Sequence, residues 1–236
     1  MKNLKPKGKL YLIPSPISED LSFISDYFVR IISDISVYYV EKVRTARRFI
    51  KKVYKEKSID SITFFEMTDK AFDLSEIILL LKDGNSVGVM SDAGCPGIAD
   101  PGQDLILLAH SEEIEVIPLI GPSSIILALM SSGLNGQNFA FNGYLPIKDN
   151  LRKQKLLELE RKVFKDHQTQ IFIETPYRND SIVKAILASV SPRIKLCIAQ
   201  DIGSKENKIK TQSILEWRRV KNPVKHKVPA IFLVGN

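Results

Sequence analysis

The sequence predicts an α/β protein of two domains, with a mostly parallel sheet in the first and a mixed sheet in the second. Three observations carry that prediction. The chain has 236 residues, enough for two modest domains or one large one. Through the first half, short β-type runs alternate with amphipathic stretches, the pattern of βαβ units whose parallel strands lie under helices on both faces. In the second half the closing strands follow with fewer helices between them, so part of that sheet must be antiparallel.

Taken in order, the first half gives strands over 9–13, 35–40, 62–65, 86–90 and 115–118, each a short run rich in apolar residues. Apolar residues at helical spacing predict helices over 19–31, 42–56, 68–83 and 102–111. Gly121-Pro122 interrupts the pattern. The second half opens with a helix over 123–132, an extended run over 139–141 and a long charged helix over 148–166. Strands over 170–173, 195–199, 208–213 and 228–234 and a helix over 179–190 complete it. The boundary falls near 118–121, giving domains 1–118 and 119–236 with a cleft expected where they meet.

Hydrophobic residues make up 44% of the chain and charged residues 26%, a composition that folds without staples and excludes wholesale disorder. The net charge is +7, and segment 42–57 (KVRTARRFIKKVYKEK), with eight Lys or Arg and one Glu, carries all of it. On a helical wheel Arg44, Arg47, Arg48, Lys51, Lys52 and Lys55 share one face. Ala46, Phe49, Ile50, Val53 and Tyr54 share the other. A charged face is usually a solvated one of mixed sign. A face of one sign adds self-repulsion, which points to a phosphate-rich partner. Two cysteines, Cys95 and Cys197, are too few for a zinc cluster or disulfide framework, so a reducing, cytoplasmic setting is expected. No apolar run reaches the roughly 18 residues of a membrane helix, and no membrane partner is expected.

Missing motifs exclude several chemistries. There is no GxGxxG dinucleotide fingerprint. Residues 97–102 have the glycine spacing of a P-loop, but Gln103-Asp104 stands where its Lys and hydroxyl belong, which excludes nucleotide hydrolysis of that kind. His110, His167 and His226 are isolated, without metal-ligand spacing, and no GxSxG is present. No metal is expected.

The densest unusual stretch is 91–102 (SDAGCPGIADPG), directly after a strand. Open α/β sheets bind ligands at that carboxyl end. Its three glycines admit close ligand approach, and its two prolines stiffen the backbone. A second loop, 118–124 (PLIGPSS), puts Ser123 or Ser124 where either caps a helix, and a helix N-terminus also holds carboxylates or hydroxyls. In a third, 174–178 (ETPYR), Glu174 and Arg178 pair with each other or hold the next helix.

These segments, with GYLP at 143–146 and at these separations, resemble the small-subunit rRNA (cytidine-2′-O)-methyltransferase family, a branch of the tetrapyrrole methylase superfamily. The likeness runs over about 10–234; the twelve-residue loop is its specific part. The resemblance implies a tetrapyrrole methylase-like fold, a homodimer, and S-adenosylmethionine held folded in the interdomain cleft. It implies that Asp92, Ala93, Gly94, Cys95 and Ile98 line the cofactor site, joined by Ser123, Ser124, Pro229 and Ala230. Cys95 stands where Thr is common, as a small neighbour of the cofactor. The acceptor implied is ribosomal RNA in the small subunit, and Arg44, Arg47, Arg48, Lys51 and Arg178 are its expected contacts.

The departures fall on the acceptor side. The family's Gly-Asn after Pro16-Ile17 is replaced by Ser18-Glu19, its Glu-Asp-Thr-Arg by Glu41-Lys42-Val43-Arg44, and its Glu-Ser-Pro-His-Arg by 174–178. Methyl transfer from a sulfonium is an in-line displacement, in which orientation alone can lower the barrier by about 7–11 kcal/mol. A ribose hydroxyl is a poor nucleophile and gains from a carboxylate that accepts its proton. Glu41 and Glu174, both at strand ends, are the candidates. Two alternatives stand beside this reading: a methylase of a small tetrapyrrole-like acceptor, and a ribosome- or RNA-binding paralogue with impaired catalysis.

Overall fold

Five strands, β1 (Leu10–Leu12), β2 (Val37–Val40), β3 (Thr63–Glu66), β4 (Val87–Met90) and β5 (Val116–Pro118), form the first sheet. Their order is β3-β2-β4-β1-β5, and every neighbouring pair is parallel. The structure, a computed structural model, describes residues 6–68 and 72–236. The chain divides into units Met1–Pro122 and Ser123–Asn236.

Alternation along each strand sends successive side chains to opposite faces. Tyr38, Val40, Met90 and Ile13 pack under α1 (Asp26–Asp34) and α2 (Val43–Val53), through Phe28, Ile32, Phe49 and Ile50. Val37, Val87, Val89 and Leu10 pack under α3 (Leu74–Lys82) and α4 (Gln103–Ser111), through Ile77, Leu81, Leu105 and Ala109. Each large side chain buried there contributes about 1.5–3 kcal/mol.

Helix α1 starts later than the expected 19. Asp20 accepts the Ser22 N–H at 2.8 Å, and this Asx turn competes with helix. Ser25 then caps the helix by accepting the Phe28 N–H. Helix α3 starts behind Asp73, which accepts the Ser75 N–H; residues 69–71 of the expected 68–83 helix lie outside the described residues. At the carboxyl edge, a Cβ added to Gly121 would lie 2.3 Å from Pro14 Cβ. Gly121→Ala is therefore expected to cost about 1–3 kcal/mol of stability. Denaturant unfolding reads that loss, and an unchanged midpoint would mean that the two loops part freely.

The second unit holds α5 (Ser124–Ser132), β6 (Phe139–Tyr144), α6 (Asp149–Asp166), β7 (Thr169–Ile173), α7 (Asn179–Ser189), β8 (Lys195–Gln200), β9 (Lys208–Ser213), α8 (Ile214–Trp217) and β10 (Ala230–Gly235). Its sheet runs β6-β7-β10-β8-β9. Strands β6 and β7 are parallel, and the other pairs are antiparallel. The last strand thus sits at the centre. One face packs under α6, α7 and α8, with Phe172 stacked on Phe232; the other packs under α5. Strand β6 continues past 141 through a register shift before Tyr144. The short α8, not expected from periodicity, is held by a capping box between Ser213 and Glu216.

Candidate functional site

Because the first sheet is wholly parallel, all its strands deliver their following loops to one edge. The chain leaves β2 into α2 on one face and leaves β4 into α4 on the other. Strands β2 and β4 are neighbours, so the loops after them part toward opposite faces at a topological switch point, where such sheets bind ligands. Glu41 and Asp92 are the residues delivered there.

The 91–102 loop is fastened from beneath. The backbones of Ser15 and Gly94 exchange two hydrogen bonds of 2.8 and 3.0 Å, and the Ser15 hydroxyl donates to Ser91 O at 2.6 Å. Gly94, Gly97, Ala99 and Gly102 all have positive φ, a conformation costly for most side chains. Cys95 is half-buried and its thiol donates to Pro122 O at 3.4 Å. Burial pushes that thiol's pKa up, away from reactive thiolate character. Ile98 presents an apolar side chain that is 50% exposed.

Three carboxylates converge around the loop. The Asp92 N–H donates to Glu41 Oε2 at 2.9 Å, and Lys42 Nζ pairs with Asp92 Oδ2. Hydrogen bonding to Asp92 raises the Lys42 pKa, so this lysine stays protonated and is no base. Asp92 Oδ1 is buried with no hydrogen-bond partner. Such an orphan takes its donor from water or from a ligand. Burial first, then Glu41 and, more weakly, Asp92 hold the Asp100 carboxyl above its ordinary pKa, against the Ser91 hydroxyl and Lys42.

Ionised Asp100 is thus disfavoured in the folded state. Its penalty is present above the folded-state pKa and fades as falling pH protonates it in both states. Asp100→Asn is expected to raise the thermal midpoint modestly at pH 7, with the gain lost in strong acid. A gain of equal size at both pH values would contradict the charge argument.

Helix α2 begins beside this cluster with no side-chain cap of its own and no acid in its first turn. Glu66, at the end of β3, substitutes by accepting the Val43 N–H at 2.9 Å, a carboxylate at the positive end of a helix. Nothing in the sequence marked Glu66, because its role depends on β3 pairing with β2. Ala46, Phe49 and Ile50 are buried, while Arg44, Arg47, Arg48, Lys51, Lys52 and Lys55 are exposed; Lys55 lies just past the helix end. Among the described residues the ridge has one acidic partner, Asp60, 3.7 Å from Arg47. Lys57 does other work, donating to Ser33 O and Ile35 O at the end of α1.

The second unit carries the remaining expected residues. Ser123 occupies the N-cap of α5, but its side chain makes no capping bond, so the first-turn N–H groups are not satisfied by it. Pro229 is exposed and Ala230 buried. They enter β10 beside the ends of β7 and β8, where Asn179 donates to Val228 O at 2.7 Å. Glu174, its side chain 1% exposed, pairs with Arg178 and accepts the Thr175 N–H at 2.7 Å. Both oxygens are engaged, so this pair shapes the turn into α7. Glu174→Ala would leave Arg178 unpaired and is expected to cost about 3 kcal/mol, the low end for a broken buried pair because Arg178 is partly exposed. Chemical denaturation reads it, and a loss below about 1 kcal/mol would place the pair with ordinary surface bridges.

Among the described residues no group of His, Cys, Asp and Glu could hold a metal ion, and no helix is long and apolar enough to cross a membrane.

No family model matches the chain. It is 30% identical over 220 residues to a ribosomal RNA small subunit methyltransferase I from Buchnera aphidicola subsp. Schizaphis graminum, covering 92% of this chain and 74% of that one. A protein of the same name from Streptococcus pyogenes is 34% identical over 197 residues, covering 81% of this chain. Another from Vibrio cholerae is 30% identical over 194 residues, covering 82%. This chain spans 64% of the length of each of these two relatives. Among solved structures, the uroporphyrin-III-C-methyltransferase of Thermus thermophilus superposes with a TM-score of 0.56 at 16% identity, over 97% of this chain and 92% of that one. A cobalt precorrin-4 methyltransferase superposes with a TM-score of 0.60 at 15% identity, over 98% of each. Those two likenesses establish the fold, and the sequence match to the Buchnera relative decides the family. By descent, the chain belongs to the ribosomal RNA small subunit methyltransferase I family.

Proposed function

We propose that this protein transfers a methyl group from S-adenosylmethionine to a ribose 2′-oxygen of small-subunit ribosomal RNA. The observation that carries the reading is the buried, partnerless Asp92 Oδ1 at the switch point, beside the start of an exposed cationic helix. The residues fit the cofactor. Asp92 Oδ1 takes a hydroxyl or ammonium donor, Gly94 and Gly97 give the loop the positive φ its path requires, and Ile98 offers apolar surface.

When bound, S-adenosylmethionine supplies a methyl group activated by a positively charged sulfur. The protein's part is alignment and exclusion of water. Glu41 Oε2 holds the Asp92 N–H, while Oε1 accepts from no described residue and is the atom we assign to take a hydroxyl proton. Asp100, with its raised affinity for a proton, is a second acceptor in the same cluster. Lys42 neutralises part of the negative charge these acids gather. The α2 ridge holds RNA phosphates.

The reading extends to a homodimer in the cytoplasm. Ile126 and Met130, one turn apart on α5 and 49% and 74% exposed, offer apolar surface for a second copy, and sedimentation tests it. Two free cysteines suit a reducing compartment.

The test is transfer of labelled methyl from S-adenosylmethionine to small ribosomal subunits from a strain lacking this protein. Incorporation into RNA is expected. Measurable cofactor binding without incorporation would replace this reading with that of a binding paralogue, and incorporation only into a tetrapyrrole would replace it with a small-acceptor methylase.

A further inference from the structure

Outside 42–57 the chain sums to zero charge, and that sum conceals a second cationic surface. Segment 205–227 (KENKIKTQSILEWRRVKNPVKHK) has eight Lys or Arg against Glu206 and Glu216, a net of +6. All eight basic residues are exposed. Glu216 is taken up by the capping box with Ser213, and Glu206 reaches Lys225 only at 3.6 Å. Arg218 donates to Leu187 O at the end of α7, and Lys227 lies over the Tyr177 ring. Lys208, Lys210, Arg219 and Lys221 form no ion pair among the described residues.

These cations border a groove. Strand β9 is the edge of the second sheet, and its register sets Lys208 opposite Gln200 and Lys210 opposite Ile198. Both lysines therefore stand on the Trp217 face, with Lys210 Nζ 5.6 Å from the indole centre. A cavity of about 560 Å³ opens there, with Val220, Pro223 and the edges of Ile198 and Trp217, each 3% exposed, as apolar lining and Asn207 and Asn222 as amide lining. Ligand sites commonly run from roughly 300 to 1,000 Å³.

We propose that this groove is a second RNA contact, one that takes an unpaired nucleotide. Lys208, Lys210 and Lys221 meet the phosphates, the apolar lining receives the base, and the amides reach its edge. Cations alone would suit a duplex, but a duplex keeps its bases stacked and leaves an apolar groove unused. Single-stranded RNA uses both features, since its bases splay onto apolar surface while the backbone follows positive charge. The inference rests on the RNA-acceptor reading, yet it is tested by binding and stands or falls without methyl transfer.

The probe is a short single-stranded RNA carrying 4-thiouridine, offered to the full-length protein. Ultraviolet crosslinks are expected within 205–227. Combining Lys208→Gln, Lys210→Gln and Lys221→Gln should raise Kd about tenfold and reduce the log Kd against log salt slope by about 2, three single-strand phosphate contacts' worth. The corresponding Arg variant should restore binding. Crosslinks confined to other segments, or an unchanged Kd and slope in the Gln variant, would overturn the proposal. So would stronger binding of duplex RNA, or equal competition by polyglutamate, which would point to an acidic protein partner.

Discussion

Asp92→Ala is expected to weaken S-adenosylmethionine binding about 10–100-fold and so to cut transfer, at cofactor about ten times the unaltered protein's Kd, to between about a half and a tenth. The size follows from losing one or two charge-assisted hydrogen bonds in a buried setting, each worth about 1.5–3 kcal/mol. The fold should survive. The loop is held by Ser15 against Ser91 and Gly94, and Glu41 grips the backbone of residue 92, which the substitution keeps. Among the described residues the side chain's one partner is Lys42, itself largely exposed, and such pairs contribute little to stability. Calorimetric titration of the cofactor beside a thermal melt separates the two effects. Unchanged affinity in the Ala variant would remove Asp92 from the cofactor site.

The second large effect belongs to the α2 ridge. Combining Arg47→Ala, Arg48→Ala and Lys51→Ala should weaken binding to the small subunit roughly 100-fold at low salt and lower the salt slope by about 2–3, one unit per phosphate contact. The side chains removed do little for the fold: Arg47 reaches an exposed Asp60 at 3.7 Å, and Lys51 donates to Lys57 O at an exposed turn. Kinetically the loss should appear as a raised KM for the particle with kcat nearly kept, because the ridge holds ground state and transition state alike. A fall in kcat at saturating particle would instead place the ridge at the reacting ribose. An unchanged salt slope would show that RNA does not touch it.

Much of this was legible in the sequence, and the rest was not for identifiable reasons. The continuous apolar runs that identify β2 and β4, buried along their whole length, mark strands covered on both faces, but which side chain meets which helix pair could not be read from them. Strand order could not be read: nothing in residues 230–235 tells that β10 inserts between β7 and β8. The 91–102 loop announced itself through glycine and proline, whose backbone demands are local. The roles of Glu66, Ser15 and Asp100 arise only when distant strands pair, as with the Glu66 carboxylate capping α2. Helix α1 was expected too early because apolar spacing over 19–24 outweighed the Asx turn at Asp20. The cationic surface at 205–227 escaped because net charge is a sum, and acids elsewhere, several of them within 100–115, cancel it on paper but not in space.

The most direct measurement of the central claim is the position of the transferred methyl group. Small-subunit RNA labelled from S-adenosylmethionine by this protein is hydrolysed with alkali, which cleaves only where a free 2′-hydroxyl can attack the neighbouring phosphate. Ribose methylation predicts label in alkali-resistant dinucleotides, reduced when Asp92 is replaced by Ala. Label in mononucleotides would place the methyl on a base and contradict the account.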